Sequence, residues 1–175
     1  MRYGEDIGES GGFTGRPSFF REEADWLKVR YNQEATEEVA ALMKDLRLNT
    51  VCKEANCPNM GECYRKHTAT FMILGSVCTR NCRFCNVSCG RPEAVDEEEP
   101  MNVAKAAKQL HLKHVVLTCS TRDDLEDGGA LQFAKTIRAI RELCPGTTIE
   151  TRISDMKGRT ESLDIVLEYK PQVLN

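Results

Sequence analysis

The chain has 175 residues, of which 41% are hydrophobic and 29% charged, a composition typical of a globular domain and unlike that of a disordered segment. Its 24 basic and 27 acidic side chains leave a net charge of −3, so composition predicts neither a nucleic-acid partner nor a basic membrane-binding surface. No apolar run approaches the roughly 18 residues of a membrane-spanning helix, and Met1–Pro17 lacks the apolar core of a secretory signal. We therefore expect a cytoplasmic protein. In the reducing cytoplasm, clustered cysteines are metal ligands or catalytic thiols more often than they form disulfides.

The first 48 residues are expected to form an N-terminal leader and one helix. Met1–Pro17 is rich in glycine and predicts a flexible leader. Over residues 34–46, apolar side chains recur at the spacing of one helical face: Val39, Leu42, Met43 and Leu46. This helix leads directly into a cysteine-rich segment, residues 49–67.

Residues 68–175 predict an alternation of strands and helices. Thr68–Gly75 is a short apolar run closed by glycine, which indicates a buried strand. Three further strands are predicted at His114–Thr118, Thr147–Ile153 and Gln172–Leu174. Helices are predicted between them, over Pro100–Leu110, Phe133–Cys144 and Glu161–Tyr169. Such alternation indicates βαβ units and a parallel sheet, the α/β fold class.

The number of strands favours an incomplete parallel (β/α) barrel. A closed barrel of this type needs more strands than this, and the chain stops at about the fourth. We therefore expect a C-terminally truncated barrel, whose activity as a fragment is in doubt. The acidic run Asp96–Glu99 suits the positive end of the helix that it precedes and is expected to be solvated.

Six of the nine cysteines form two triplets. The first is C-x4-C-x5-C in CKEANCPNMGEC, with Cys52, Cys57 and Cys63. The second is C-x3-C-x2-C in CTRNCRFC, with Cys78, Cys82 and Cys85, and it follows the first predicted strand. Loops at the carboxyl ends of parallel strands are where α/β folds bind ligands. Thiolates at such spacing favour zinc or iron–sulfur clusters.

The number of thiols in each triplet bears on the choice of metal. A structural zinc site closes with four ligands, whereas a cubane [4Fe–4S] cluster on three cysteines leaves one iron open to a substrate or cofactor. Each triplet provides three. Zinc remains open, so the alternative to an enzyme is a non-catalytic cysteine-rich domain that binds zinc or a single cluster.

CTRNCRFC after the first strand resembles the motif of the radical S-adenosylmethionine (SAM) superfamily. CKEANCPNMGEC, GRP and RDDLEDGGA also resemble the lipoyl synthase family, over roughly residues 49–129. The resemblance implies two [4Fe–4S] clusters. Cys78, Cys82 and Cys85 would hold the cluster whose open iron binds SAM, and Cys52, Cys57 and Cys63 would hold an auxiliary cluster that serves as the sulfur source.

The reaction implied by the resemblance is sulfur insertion at C6 and C8 of a protein-bound octanoyl group. These carbons are unactivated, so the family uses a radical from SAM in place of acid–base chemistry. The implied partners are an octanoylated lipoyl carrier, either the glycine cleavage H protein or the lipoyl domain of a 2-oxoacid dehydrogenase, and an electron donor such as ferredoxin or flavodoxin. Gly128 and Gly129 would contact SAM, or alternatively ease the start of the following helix.

Several residues differ from the family pattern. Ser120, Thr151 and Arg152 stand where apolar residues are usual, which predicts weaker packing around the third strand. No serine matches the family's fourth ligand of the auxiliary cluster, a serine near the C-terminus.

The remaining candidates have open interpretations. Arg122, Asp123 and Asp124 could contact ribose or substrate, or form a solvated turn. Cys89 is considered as an additional ligand, whereas Cys119 and Cys144 are interpreted as small core residues.

Overall fold

The computed structural model describes residues 33–54, 57 and 59–175, so the predicted leader Met1–Pro17 lies outside the described residues. The elements, in chain order, are α1 (Gln33–Asp45), β1 (Asn49–Thr50), α2 (Val51–Glu54), α3 (Met60–Arg65), β2 (Thr68–Ile73), β3 (Val77–Cys78), β4 (Ser88–Cys89), α4 (Glu99–Gln109), β5 (His114–Cys119), α5 (Ala130–Leu143), β6 (Thr148–Arg152), a 3-10 helix (Met156–Gly158), α6 (Thr160–Glu168) and β7 (Val173–Leu174). Among the described residues, no helix has the length and apolar character needed to cross a membrane.

The main sheet confirms the predicted parallel α/β arrangement. Its strand order is β1-β2-β5-β6-β7, and the last four strands are parallel and follow chain order. Thr68 pairs with His114, and His114 with Thr148, so the three long strands begin at the same level. The two-residue β1, which the sequence analysis did not predict, pairs antiparallel with the outer edge of β2. Closure into an incomplete barrel stays a prediction.

Helices α4, α5 and α6 share one apolar core with the sheet. Alternate strand residues point to this face, because successive side chains in a strand point to opposite sides. The strand residues of the core with no solvent exposure are Phe71, Ile73, Val115, Leu117 and Ile149. The large helix side chains of the core with no solvent exposure are Val103, Phe133, Ile137, Ile140 and Val166. The core fixes the strands so that their carboxyl ends form one edge, which carries the candidate site.

The weaker packing predicted around the third strand is not observed. Thr151 in β6 is fully buried, and its hydroxyl donates to the Val173 carbonyl at 3.4 Å. The Ser120 hydroxyl lies 3.1 Å from the Leu74 carbonyl oxygen and 3.1 Å from that of Gly75. Arg152 is exposed and pairs with Glu150 at 2.8 Å. Because a buried hydroxyl costs little once it is hydrogen-bonded, the polar substitutions are accommodated.

Candidate functional site

The second cysteine triplet lies on a compact loop, residues 77–90, at the carboxyl end of β2. The chain leaves β2 through Leu74 and Gly75, which have positive φ values of 69° and 86°. Within the loop, β3 and β4 pair in parallel and place Cys78 opposite Cys89. The Gly90 amide donates to the Cys78 carbonyl at 3.0 Å. The loop therefore has backbone pairing of its own.

The three thiols of this triplet are held differently. Cys78 is buried, and its Sγ accepts a hydrogen bond from the Arg80 amide at 3.4 Å. Cys82 and Cys85 are exposed, and the Cys85 amide donates to the Cys82 carbonyl at 3.0 Å, which closes a turn between them. Backbone amides directed at cysteine sulfur are among the features that tune iron–sulfur clusters. The loop presents one anchored thiol and two exposed thiols.

Two members of the first triplet lie in short helices, and the third lies between these helices in the chain. Cys52 lies in α2 and Cys63 in α3, and the Cys57 amide donates to the Cys52 carbonyl at 2.9 Å. Burial raises the pKa of the Cys52 thiol, and the nearby Cys57 and Cys63 raise this pKa further. Cys52 is the buried thiol of this triplet, whereas Cys57 and Cys63 are half-buried.

Both triplets lie along β2. The first is held at its outer edge by β1, and the second extends from its carboxyl end. The Asn86 side-chain amide joins them by donating to the Glu54 carbonyl at 2.7 Å. A cleft of about 310 Å³ is lined by residues that include Arg47, Asn49, Gly75–Val77 and Glu99.

The cysteine side chains suit some metal groups better than others. Among the described residues, no three His, Cys, Asp or Glu side chains converge as ligands of a single metal ion. A cubane cluster has a different geometry, because its thiolates bind separate iron atoms and stand farther apart. Three thiols on one self-paired loop, with an amide directed at the sulfur of Cys78, fit that second type of group.

A buried carboxylate that the sequence analysis assigned to solvent fixes the start of the 77–90 loop. Glu99 is 4% exposed, and both its oxygens accept the Leu74 amide, at 3.0 and 3.1 Å. Gln132 Nε2 donates to the same carboxylate at 2.8 Å. Burial raises the pKa of Glu99. The prediction of a solvated run is therefore wrong for Glu99, whose helical spacing to Val103 was the available signal.

Arg122 binds the backbone carbonyl of Leu74, the residue whose amide binds Glu99. It is 3% exposed, and its guanidinium donates to the Leu74 carbonyl at 3.3 Å and to the Glu93 carbonyl at 3.0 Å. Its ion pair with Asp124, at 2.8 Å, lowers the pKa of that carboxyl. The solvated-turn interpretation is therefore wrong for Arg122, which positions the strand end. No local sequence signal distinguishes such an arginine from an exposed one.

The two candidate glycines precede α5. Gly128 and Gly129 have φ values of 61° and 94°, a region that favours glycine. A Cβ atom on Gly129 would lie 2.2 Å from Cδ1 of Leu74. Packing and backbone conformation account for Gly129 at the start of α5, in agreement with the helix-start interpretation. Contact of these glycines with SAM stays a prediction.

Two cysteines outside the triplets behave as core residues, as predicted. Cys119 and Cys144 both pack against the hydrophobic core. Burial raises the pKa of Cys119 to about 12, so this thiol is neutral at physiological pH. The Cys144 thiol donates to the Ala104 carbonyl at 3.6 Å. Cys89 is exposed opposite Cys78, and its role as an additional ligand stays a prediction.

Comparison with known proteins identifies relatives of the whole region that carries both triplets. The chain is 55% identical over 151 residues to a lipoyl synthase of Caldanaerobacter subterraneus subsp. tengcongensis, which covers 86% of this chain and 53% of the relative. It is 52% identical over 152 residues to a lipoyl synthase of Caldicellulosiruptor saccharolyticus, with the same coverage of both. It is 48% identical over 154 residues to a lipoyl synthase of Polaromonas naphthalenivorans, covering 86% of this chain and 46% of that protein. The chain thus spans about half the length of the curated relatives it matches.

The sheet and the second triplet together match the model of a known protein family. The model of the radical SAM superfamily matches residues 72–175, from β2 to the last residue, and includes the whole 77–90 loop. The chain belongs to the radical SAM superfamily.

Proposed function

We propose that the chain is part of a lipoyl synthase, which inserts sulfur at C6 and C8 of a protein-bound octanoyl group. The observation that supports this most is the presence of two cysteine triplets along one strand, in a chain 48–55% identical to proteins named lipoyl synthase. A radical SAM domain alone needs only the second triplet. The first triplet therefore favours this reaction over others in the superfamily.

SAM and [4Fe–4S] clusters are the cofactors of this superfamily and of such enzymes. We assign Cys78, Cys82 and Cys85 to the SAM-binding cluster. Cys52, Cys57 and Cys63 are assigned to the auxiliary cluster. When bound, these cofactors supply the one-electron and radical chemistry that unactivated carbons require.

The chain's own residues position this chemistry. The Arg80 amide on Cys78 Sγ anchors one ligand, while Glu99 and Arg122 hold Leu74 and so fix where the 77–90 loop leaves β2. Gly128 and Gly129 are proposed to contact SAM, because they lie at the start of α5 beside this strand end. In domain terms, residues 1–48 would precede an auxiliary cluster segment, 49–67, and an incomplete barrel core, 68–175.

The proposed partners follow from the reaction. The substrate would be an octanoylated lipoyl carrier, either the glycine cleavage H protein or the lipoyl domain of a 2-oxoacid dehydrogenase. Ferredoxin or flavodoxin would donate electrons. A cytoplasmic location is proposed, since both the carriers and the oxygen-sensitive clusters are compatible with a reducing compartment.

The test is an anaerobic reaction of the chain, reconstituted with iron and sulfide, with an octanoylated carrier, SAM and a reductant. The expected results are iron and labile sulfide for two clusters and the formation of 5′-deoxyadenosine from SAM. A gain of two sulfur atoms on the octanoyl group, measured by mass spectrometry of the carrier, would show in addition that this part of the enzyme is active by itself. Protein purified without oxygen that holds stoichiometric zinc and no labile sulfide would contradict the proposal and favour the non-catalytic metal-binding domain.

A further inference from the structure

Arg80, between the first two cysteines of the second triplet, binds two carboxylates at once. Its Nε and Nη2 donate to the two oxygens of Asp123 at 2.7 and 2.8 Å. Its Nη1 and Nη2 donate to the two oxygens of Asp155 at 2.9 and 2.7 Å. The planar guanidinium is therefore used on both of its donor edges, a geometry that a lysine could not reproduce.

The two carboxylates come from different strand ends. Asp123 follows β5 and Asp155 follows β6, so one side chain of the 77–90 loop is tied to two neighbouring strands of the sheet. Thr79 adds to the first of these connections. Its amide and hydroxyl donate to the Thr121 carbonyl at 3.0 and 2.9 Å, and the Asp123 amide donates to its Oγ1 at 3.1 Å.

The ion pairs of Arg80 with Asp123 and Asp155 orient the 77–90 loop more than they stabilise the fold. Arg80 lowers the pKa of Asp123 and lowers that of Asp155 to about 2, so both are ionised at neutral pH. Their side chains are 24% and 63% exposed and that of Arg80 is 31% exposed, and ion pairs at this level of exposure contribute little to folding. Lys157 supplies a second cation, 3.9 Å from Asp123. Bidentate hydrogen bonds between a guanidinium and a carboxylate specify the relative orientation of the two side chains.

We propose that Arg80 is a positioning residue, which holds the 77–90 loop over the ends of β5 and β6 through Asp123 and Asp155. The proposal rests on the assignment of Cys78, Cys82 and Cys85 under the proposed function. We call the contacts of Arg80 with Asp123 and Asp155 the clamp. The number and the spacing of the three thiols are set by the chain itself and not by the clamp. Removal of the clamp should therefore spare cluster assembly and disturb the placement of the loop relative to the strand ends, where ligands of parallel sheets bind.

The test compares Arg80→Gln, Asp155→Asn and the control Arg83→Gln, which removes the same charge from an exposed position of the same loop. In the apo chain, hydrogen–deuterium exchange of peptides covering residues 77–90 should be faster in Arg80→Gln than in the wild type or the control, with α5 peptides unchanged. In the reconstituted protein, iron and sulfide content should be unchanged. SAM affinity should fall about tenfold or more, since small displacements of positioned groups carry large penalties.

Further readouts separate positioning from a general loss of stability. The electron paramagnetic resonance spectrum of the reduced cluster with SAM should change in Arg80→Gln, and Arg80→Lys should not restore it. Asp155→Asn alters only an exposed carboxylate and should have an intermediate effect on hydrogen exchange, spectrum and SAM affinity. This variant provides the test if Arg80→Gln does not fold. Unchanged exchange, spectrum and SAM affinity in both variants would overturn the proposal. Absence of iron and sulfide from the wild type would overturn the cysteine assignment and the positioning role together.

Discussion

Gly129 and Leu74 approach each other closely at the end of β2. A Cβ on Gly129 would meet Leu74 Cδ1 at 2.2 Å, and the Leu74 residue is buried, with 2% exposure. Gly146 has a similar φ, 97° against 94°, but nothing lies within 4 Å of the place that its Cβ would occupy. The two glycines thus separate backbone strain from steric conflict.

Replacement of each glycine by alanine measures these two effects. Gly146→Ala should lower the free energy of unfolding by about 1–2 kcal/mol, the penalty of a left-handed conformation. Gly129→Ala should cost about 1–3 kcal/mol more, because a buried side chain must also be displaced. Urea denaturation of the apo chain gives both values. Equal losses would show that Leu74 moves aside without penalty.

Glu99 makes stability depend on pH. Burial raises its pKa above the ordinary value of 4.5, so the folded state binds this proton more tightly than the unfolded chain. Stability from this group is therefore greatest at low pH and falls as pH rises from about 4.5 through the raised pKa. Glu99→Gln removes the titration while it keeps the side-chain size.

The measurement is the difference in free energy of unfolding between the wild type and Glu99→Gln across a pH series. This difference should shift in favour of the variant as pH rises, because only the wild type must bury a charge. Other titrating groups are common to both proteins and cancel. A constant difference at every pH would mean that Glu99 titrates normally in the folded state.

At the scale of elements, the two triplets lie on separate backbone units. The first has Cys52 in α2 and Cys63 in α3, and the second lies on the self-paired 77–90 loop. A hydrogen bond from the Asn86 side-chain amide to the Glu54 carbonyl connects the two units. Because each unit has its own backbone hydrogen bonds, we expect each to assemble its cluster independently.

Simultaneous replacement of Cys78, Cys82 and Cys85 by alanine should halve the iron and labile sulfide of the reconstituted chain and leave the other cluster intact. Cys144→Ala is the matched control, since this cysteine packs against the core and belongs to neither triplet. Iron and sulfide assays, with absorption spectra, give the result. Complete loss of iron in the triple variant would show that the two units depend on each other.

At the scale of the whole molecule, the parallel sheet brings the 77–90 loop and the loops after β5 and β6 to one edge. Ligands of open parallel sheets bind at this edge. With reductant and SAM, the reconstituted chain should form 5′-deoxyadenosine even without octanoyl substrate, at a low rate. Chromatography of the products measures this, and Cys78→Ala should abolish it. Persistence of cleavage in that variant would place the reaction at another site.

The sequence alone was sufficient for the parallel strands of the main sheet, for the helices between them and for α1, in their order along the chain. Helical spacing of apolar residues predicted α1, and the alternation of apolar runs with helices after Pro92 predicted the parallel sheet. Both signals are local, because they depend on backbone periodicity. The two triplets could also be recognised from the sequence, because the three cysteines of each lie within one short segment. The elements that were not predicted are short, with two residues each in β1, β3 and β4, four in α2 and six in α3, too few for a clear periodic signal.

The tertiary structure alone decided which polar residues support the site. Glu99 binds the Leu74 amide across 25 positions, and Arg80 binds Asp155 across 75. Burial of Glu99 and Arg122 likewise depends on which strand ends and helices meet at the carboxyl edge. Such contacts form only when distant segments pack together, and one sequence carries no local pattern that specifies them. The sequence therefore determined the candidate ligands, and the packing of the sheet determined what holds them in place.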